Sequence, residues 1–217
     1  ATGNGVVAKP AETTSLIAGF AAGILHTAGV PRDVLTLVTG VGAVVGDVVC
    51  AHPKIVGVCF TGSTATALHI NRTMAANLHP GAPLIAETGG LNAMIVDSTA
   101  LPEQAIRDVV ASAFQSAGQR CSALRMLYLQ EDIALGFLKM LTGAMKELKT
   151  GDSAEFDTDI GPVIDKAAQD KILKHIDVAR REGRLLAQFD VPSVGTFVAP
   201  TLLSIPGIGD LTEEIFG

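Results

Sequence analysis

The sequence predicts an α/β fold built on a parallel sheet, and three observations point to it. Short apolar runs alternate with helical patterns across short links, as in right-handed βαβ units. The chain of 217 residues is 48% hydrophobic but only 4% aromatic, a composition that suits strands covered by closely packed helices. Glycines follow several of the apolar runs, where a strand of such a sheet would turn into the next helix.

The first part of the chain is predicted to alternate strand and helix. Strands are predicted from short apolar runs, and helices from apolar residues three or four positions apart. Pro10 ends the first strand because it lacks a ladder donor, and Gly29 with Pro31 ends the first helix. We expect helix 16–25, a wholly apolar run, to be buried. The predicted order is strand 5–9, helix 16–25, strand 34–38, helix 42–50, strand 55–60, helix 64–78 and strand 82–87.

A double glycine, Gly89-Gly90, breaks the alternation and predicts a boundary between two parts, 1–88 and 89–217. The second part begins with another apolar run and contains longer helical patterns. Its predicted elements are strand 92–97, a helix carrying Ile106, Val109, Val110 and Phe114, strand 123–130, and helices near 133–148 and 167–182. The chain has no initiator Met, and both ends read as cuts through a folded unit, so we expect a fragment.

Charge and cysteine content exclude several classes of protein. A net charge of −6 argues against a nucleic-acid or anionic-membrane surface, and no apolar run reaches the roughly 20 residues of a membrane span. The three cysteines imply no disulfide framework and favour a reducing compartment, the cytoplasm. The five histidines have no metal-ligand spacing, so no metal is predicted. Cys50 and Cys59 lie inside apolar patterns and are predicted to be packing residues.

Two groups of residues after predicted strands are candidates for nucleotide binding. Gly42, Gly46 and Ser63 follow strands, where backbone N–H groups are open to a phosphate. Their spacing is not the G-x-G-x-x-G fingerprint, and turn formation explains the same glycines. Lys9 and Glu12 are spaced to clamp ribose hydroxyls, but an ordinary helix start explains them as well.

The stretch "AGQRCSALR" places Cys121 among small neighbours, which suggests a thiol that a ligand must reach. Arg120 or local N–H dipoles could stabilise its thiolate, although an inert cysteine remains the alternative. Glu87 stands at a strand end before two glycines, as a general base would, or as a solvated edge carboxylate would. The absence of a histidine suited to Cys121 argues against a cysteine hydrolase.

Five motifs in this order resemble those of the aldehyde dehydrogenases: 9–12 (KPAE), "FTGS", 87–90 (ETGG), "GQRC" and "EEIFG". Two longer stretches, 86–125 and 158–165, most resemble the L-glutamate γ-semialdehyde (pyrroline-5-carboxylate) dehydrogenase part of the bifunctional PutA proline-utilisation proteins. The resemblance implies an aldehyde dehydrogenase-like fold, with both domains incomplete. Residues 1–88 would be the C-terminal part of an NAD-binding domain, and 89–217 the N-terminal part of the catalytic thiol domain.

The resemblance also implies a reaction. Cys121 would attack the aldehyde to form a thiohemiacetal, with its main-chain N–H helping to hold the oxyanion. Hydride transfer to NAD would leave a thioester, and Glu87 would activate the water that releases glutamate. Ser122 matches a residue that helps to anchor the substrate carboxylate. We expect the isolated fragment to be inactive, or nearly so.

The implied NAD contacts begin at Lys9 and Glu12, which would hold the adenosine ribose. Glu12 would favour NAD over NADP because its charge repels a 2′-phosphate. The other implied contacts are Gly42 and Gly46 beside the adenine, Ser63 at the pyrophosphate, and Glu214 and Phe216 at the nicotinamide ribose and ring.

The resemblance implies partners for the parent enzyme as well, namely a homo-oligomer and an FAD proline dehydrogenase domain upstream. Three alternatives stay open. They are a dehydrogenase for another aldehyde, a cysteine acyl-transferase or esterase without a redox step, and a non-catalytic nucleotide-binding fragment.

Overall fold

The double glycine marks a division in the structure. The computed structural model describes residues 3–217, and the chain separates into one unit that ends at Thr88 and a second that begins at Gly89. Each unit has strands and helices of its own. No described helix is long and apolar enough to cross a membrane.

The first unit follows the predicted alternation. Its strands form two parallel pairs, β1 with β2 and β3 with β4, in registers that align Val6 with Leu35 and Val58 with Leu84. A helix connects the two strands of each pair, as a parallel pair requires. The elements are β1 (Val6–Ala8), α1 (Ser15–Thr27), β2 (Leu35–Leu37), α2 (Gly42–Cys50), β3 (Val58–Thr61), α3 (Thr64–Asn77) and β4 (Leu84–Glu87).

Helix α1 corrects one prediction, because its apolar residues are exposed rather than buried. The relative exposure is 93% at Leu16 and 67% at Phe20, whereas Ala22 is the buried residue of the helix. The physical reason is the size of the layer beneath it. A pair of strands covers one side of a helix, and an apolar residue on another side is buried only where a further layer covers it.

The cysteines of the first unit give one confirmed and one wrong prediction. Cys50 is buried at the end of α2, as predicted for a packing residue. Cys59 is exposed on β3, where half-buried and exposed side chains alternate. The apolar run around Cys59 therefore does not place all of its members inside, because successive strand residues point to opposite faces.

The second unit is built around helices α4 and α5 and the parallel pair β5–β6, in which Ala93 aligns with Met126. Ile106 and Val109, which belong to a predicted helix, are 5% and 4% exposed in its core. The elements are β5 (Ala93–Val96), α4 (Pro102–Phe114), β6 (Met126–Leu129), α5 (Glu131–Lys146), α6 (Lys166–Arg181), β7 (Leu185–Gln188) and β8 (Thr201–Leu203). The buried core cluster is Val96, Ile106, Val109, Leu124, Phe137, Leu141 and Met145.

Strands β7 and β8 pair in antiparallel fashion and were not predicted. Both are short, and a register irregularity lies between Leu185 and Ala187. Runs of three or four residues with such an irregularity carry little of the alternating pattern that identifies a strand in a sequence.

A smaller cluster connects α6 to two segments, one that carries the predicted nucleophile and one that carries predicted cofactor-binding residues. Val163, Ile172 and Ile176 are its buried members. Ala117, from the turn before Cys121, and Ile215, from the "EEIFG" motif, pack against them. The turn before Cys121 and the "EEIFG" motif therefore pack against the same apolar cluster.

Candidate active site

Lys9, Glu12 and Gly42 lie together at the carboxyl ends of β1 and β2. Nζ of Lys9 is 3.5 Å from Oε1 of Glu12, and the Gly42 N–H donates to the same oxygen over 2.5 Å. A Cβ atom on Gly42 would lie 3.4 Å from both Glu12 Oε1 and Lys9 Nζ. Three of the predicted cofactor-binding residues therefore form one cluster.

The Glu12 carboxylate also caps α2. Val41, the residue before this helix, provides no side-chain cap, and Glu12 accepts from the first N–H of the helix instead. The backbone N–H groups of Glu12 itself and of Gly42, and then the Lys9 ammonium, lower the pKa of the Glu12 carboxyl. A helix N-terminus favours a carboxylate, so Glu12 supplies a negative charge at the place where a second anion would otherwise bind.

The alternative that the sequence left open, an ordinary helix start, is also present. Glu12 begins a short 3₁₀ turn, Glu12–Thr14, which leads directly into α1. The two interpretations are compatible, because the turn uses the backbone of Glu12 while the side chain reaches α2.

Ser63 and Gly46 differ in how strongly their surroundings constrain them. Ser63 is the N-cap of α3, and its Oγ accepts from the Thr66 N–H over 3.2 Å, as a serine at the start of a helix commonly does. Gly46 lies one turn into α2, and a Cβ atom there would meet nothing within 4 Å. Gly46 therefore presents an open patch of backbone.

Glu87 ends β4 at the same edge as Ser63. It aligns with Thr61, the last residue of β3, and its carbonyl accepts from the Gly62 N–H over 3.1 Å. The Glu87 side chain is exposed, which matches the edge carboxylate that the sequence left as an alternative and also leaves it accessible to water.

Cys121 lies on a tight turn between α4 and β6. Ser116, Ala117 and Gly118 all have positive φ angles, of 58°, 52° and 69°, and two of these are non-glycine residues in a region that costs backbone energy. The turn closes where the Ala123 N–H donates to the Arg120 carbonyl over 3.0 Å. The chain reverses sharply here and leaves the Cys121 thiol exposed.

Asn92, which the sequence analysis treated only as the start of a strand, holds this turn with its side-chain amide. Its Nδ2 donates to the carbonyls of Cys121 and Ala123, over 2.7 and 2.9 Å, on both sides of the exposed Ser122. The signal in the sequence is an amide side chain immediately before a strand that pairs with β6. Only the pairing, however, shows which carbonyls it meets.

The main-chain N–H of Cys121 is available to a ligand. Across residues 3–217 the structure records no acceptor for it, whereas the N–H groups of Arg120 and Ala123 are both bonded. Arg120 does not have the position that the sequence suggested for stabilising the thiolate. Its guanidinium donates back to the Ala111 carbonyl of α4, over 3.0 Å.

Glu214 and Phe216 lie against Arg125, a residue that the sequence analysis did not single out. The Arg125 Nη2 is 3.2 Å from Oε1 of Glu214, and its Cζ is 5.5 Å from the centroid of the Phe216 ring. Arg125 follows Cys121 by four positions, so this contact joins the "EEIFG" motif to the segment after the predicted nucleophile.

The predicted residues therefore assemble into groups within each unit. Lys9, Glu12 and Gly42 meet in the first unit, as do the strand ends that carry Ser63 and Glu87. The geometry within the units does not relate Glu87 to Cys121, since these residues belong to different units. In the described part of the chain, no group of three or more His, Cys, Asp or Glu side chains could hold a metal ion.

These groups occur on a sequence whose residues 1–217 match the profile of the aldehyde dehydrogenase family. The chain belongs to the aldehyde dehydrogenase family. Enzymes of this family generally use NAD or NADP. Its parallel strand pairs are consistent with part of an aldehyde dehydrogenase α/β domain.

The relatives of known function within this family include PutA proteins and 1-pyrroline-5-carboxylate dehydrogenases. The bifunctional protein PutA of Salmonella typhimurium is 50% identical over 228 aligned residues, which cover 100% of this chain and 17% of that protein. The 1-pyrroline-5-carboxylate dehydrogenase of Geobacillus sp. (strain WCH70) is 40% identical over 223 residues, which cover 100% of this chain and 43% of that protein. The chain thus spans less than half the length of these relatives.

Solved structures of aldehyde dehydrogenases match the fold. A crystal structure of Bradyrhizobium japonicum proline utilization A superposes with a TM-score of 0.95 at 53% identity, covering 99% of this chain and 22% of that one. Betaine aldehyde dehydrogenase from Staphylococcus aureus, solved in complex with NAD+, gives a TM-score of 0.93 at 31% identity, covering 100% and 44%.

Proposed function

We propose that this chain is part of an enzyme that oxidises L-glutamate γ-semialdehyde to L-glutamate with NAD, in proline catabolism. The observation that carries the proposal is the exposed Cys121 thiol, held on a hydrogen-bonded turn beside its own unbonded main-chain N–H. The 50% identity to a PutA protein and the 40% identity to a 1-pyrroline-5-carboxylate dehydrogenase support the substrate.

The chemistry begins at Cys121. Its Sγ, as the thiolate, attacks the aldehyde carbon, the carbonyl oxygen gains the negative charge, and the Cys121 N–H donates to that oxygen. A bound NAD would supply the hydride acceptor, so the thiohemiacetal carbon on Cys121 would lose a hydride and become a thioester. Glu87 takes a proton from water, the water oxygen attacks the thioester carbonyl, and the C–S bond breaks to release glutamate and the thiolate.

The first unit has residues that suit the adenosine half of NAD. Lys9 and Glu12 would hold the ribose hydroxyls, Gly42 and Gly46 would lie beside the adenine, and Ser63 at the start of α3 would face the pyrophosphate. The Glu12 carboxylate, bonded to the first N–H of α2, supports NAD over NADP because a 2′-phosphate would meet that charge.

Residues of the second unit would bind the reacting ends. Glu214 and Phe216 would contact the nicotinamide ribose and ring, and the exposed Ser122 would help to anchor the substrate carboxylate. We expect the parent enzyme to be a cytoplasmic homo-oligomer with an FAD proline dehydrogenase domain, because PutA proteins are among the relatives. Nucleic acid is not an expected partner of this segment.

The test is NADH formation from L-glutamate γ-semialdehyde by the native polypeptide that carries this sequence. We expect turnover that Cys121→Ala abolishes and that far exceeds turnover of betaine aldehyde. The structural match to betaine aldehyde dehydrogenase makes that aldehyde the relevant competitor. Preference for betaine aldehyde would contradict the proposed substrate. Ester hydrolysis without NADH formation would contradict the proposed oxidation.

The isolated 217-residue chain provides a second measurement. We expect it to form no NADH, because the proposed contacts to substrate and cofactor involve two units of a chain that spans less than half of its relatives. Calorimetric titration with NAD would separate an inactive chain that retains the nucleotide site from one that has lost it.

A further inference from the structure

A single arginine in the second unit bonds both to the turn of Cys121 and to the "EEIFG" motif. The Arg125 side chain is only 6% exposed. Its Nε and Nη2 donate to Oε1 of Glu214, over 3.3 and 3.2 Å, and Nη2 also donates to the carbonyl of Arg120, over 3.2 Å. One guanidinium thereby connects the residue before Cys121 to Glu214.

The ring of Phe216 and two glycines complete the surroundings of this guanidinium. The Arg125 Cζ lies 5.5 Å from the ring centroid, within cation–π range. A Cβ atom on Gly118 would come within 3.3 Å of Arg125 Nη1, and one on Gly89 would overlap the Glu214 carboxylate. The ion pair therefore occupies space that two glycines leave open.

This arrangement fixes the orientation of the Glu214 carboxylate. Its Oε1 accepts both bonds from Arg125, and its Oε2 lies over Gly89. The planar fork of an arginine sets the direction of an accepting carboxylate, whereas a lysine ammonium does not. Removal of the guanidinium would leave a largely buried carboxylate, 19% exposed, without its partner.

We propose that Arg125 is a positioning residue of the dehydrogenase reaction. Its guanidinium holds the Glu214 carboxylate and the Phe216 ring in place relative to the turn that presents Cys121. The inference rests on the proposed function, in which Glu214 and Phe216 meet the nicotinamide end of NAD. Arg125 itself touches neither the reacting atoms nor Sγ, so its effect falls on the hydride step and not on the reactivity of the thiol.

The experiment compares two reactions of the native polypeptide, NADH formation and the hydrolysis of p-nitrophenyl acetate, which needs Cys121 but no hydride transfer. Arg125→Met should lower kcat/KM for NAD by about 100-fold while ester hydrolysis stays within about twofold. Arg125→Lys should restore little, because it keeps the charge but loses the fork. Arg107→Met, at an arginine on the surface of α4 that is 75% exposed, is the matched control and should change neither reaction.

A second pair of variants tests the same contact without altering the arginine. Gly89→Ala should displace the Glu214 carboxylate and reproduce the selective loss of NADH formation. Gly90→Ala is its control, since a Cβ there would meet only Asn92 Oδ1, at 3.7 Å. Thermal unfolding of each variant identifies any that fails to fold.

Two results would overturn the inference. One is an equal fall of NADH formation and ester hydrolysis in Arg125→Met, which would indicate a merely structural role. The other is hydrogen exchange in a peptide covering 211–217 that is unchanged in Arg125→Met. The exchange measurement needs no activity, so it tests the positioning even if the wild-type protein forms no NADH with any aldehyde, an outcome that would contradict the proposed function alone.

Discussion

At the scale of single residues, the Glu12 carboxylate acts as a long-range cap in the first unit. It lies 30 positions before the glycine whose N–H it accepts, and the Lys9 ammonium is 3.5 Å away. The contact joins two segments that would each be unremarkable alone, a lysine and glutamate after β1 and a glycine at the start of α2. A carboxylate fixed at this helix end leaves less room for a second negative group.

Glu12→Gln should weaken the discrimination between the two nicotinamide cofactors. The amide still accepts from the Gly42 N–H, but it no longer repels a 2′-phosphate. We expect the ratio of kcat/KM for NAD to that for NADP to fall by about tenfold, or about 1.4 kcal/mol. Glu103→Gln, at an exposed glutamate in the first turn of α4, is the control. An unchanged ratio would remove Glu12 from cofactor selection.

Asn92 is the residue that holds the Cys121 turn against the sheet. Asn92→Ala removes two hydrogen bonds and leaves two carbonyls without their donors. We expect a loss of about 1–3 kcal/mol in the free energy of unfolding, measured by urea titration, and an altered rate of Cys121 alkylation by iodoacetamide. Asn77→Ala, which loses one bond to the Thr73 carbonyl at an exposed helix end, should change stability by less than about 0.5 kcal/mol.

At the scale of elements, α1 and α5 are both helices with apolar residues, but other elements cover the apolar face of α5 and leave that of α1 exposed. Leu141 of α5 is 1% exposed in the core of the second unit, whereas Leu16 of α1 is 93% exposed. Both are leucines in helices, so the local sequence does not distinguish them. The difference lies in whether other elements pack against the residue.

Matched leucine substitutions in the isolated chain test this difference. Leu141→Ala should lower the free energy of unfolding by about 2–5 kcal/mol through loss of burial and formation of a cavity. Leu16→Ala should change it by less than about 0.5 kcal/mol. Urea titration of both variants is the measurement, and comparable losses would mean that the α1 face is covered in solution.

At the scale of the whole molecule, the pH dependence of stability has an identifiable contributor in His175. Burial, and then the positive charge of Arg184, lower the pKa of His175 from its ordinary 6.5, while Glu213 and Glu182 act in the opposite direction. The unfolded chain therefore takes up the proton at a higher pH than the folded chain. The stability that His175 contributes is present above pH 6.5 and is lost as the pH falls through the folded pKa.

His175→Gln should flatten that part of the stability profile. Between about pH 7 and about pH 5 the urea midpoint of the wild-type chain should fall more steeply than that of the variant. The other four histidines are present in both proteins, so the difference isolates His175. Parallel profiles would show that protonation of His175 is not linked to unfolding.

Much of the architecture followed from local pattern. The helices beginning near Thr64 and Pro102 and the parallel strands between them were predictable because apolar spacing of three or four, and short apolar runs, are properties of neighbouring residues. The pair β7–β8 was not predictable, since its two short strands are interrupted by a register irregularity and show little of the alternating pattern that identifies a strand. The exposure of Leu16 depends on which layers surround α1.

The identity and order of the chemical groups, from Lys9 and Glu12 to Glu87 and Cys121, are properties of the sequence, and that order carried the resemblance to the family. The tertiary structure alone decided which groups touch. It pairs the Glu12 carboxylate with the N–H of Gly42, the Asn92 amide with the carbonyls on either side of Ser122, and Arg125 with Glu214. The physical reason is range: propensity and periodicity act over a few residues, whereas these hydrogen bonds and ion pairs join groups 29 to 89 positions apart, which only the packing of the elements brings together.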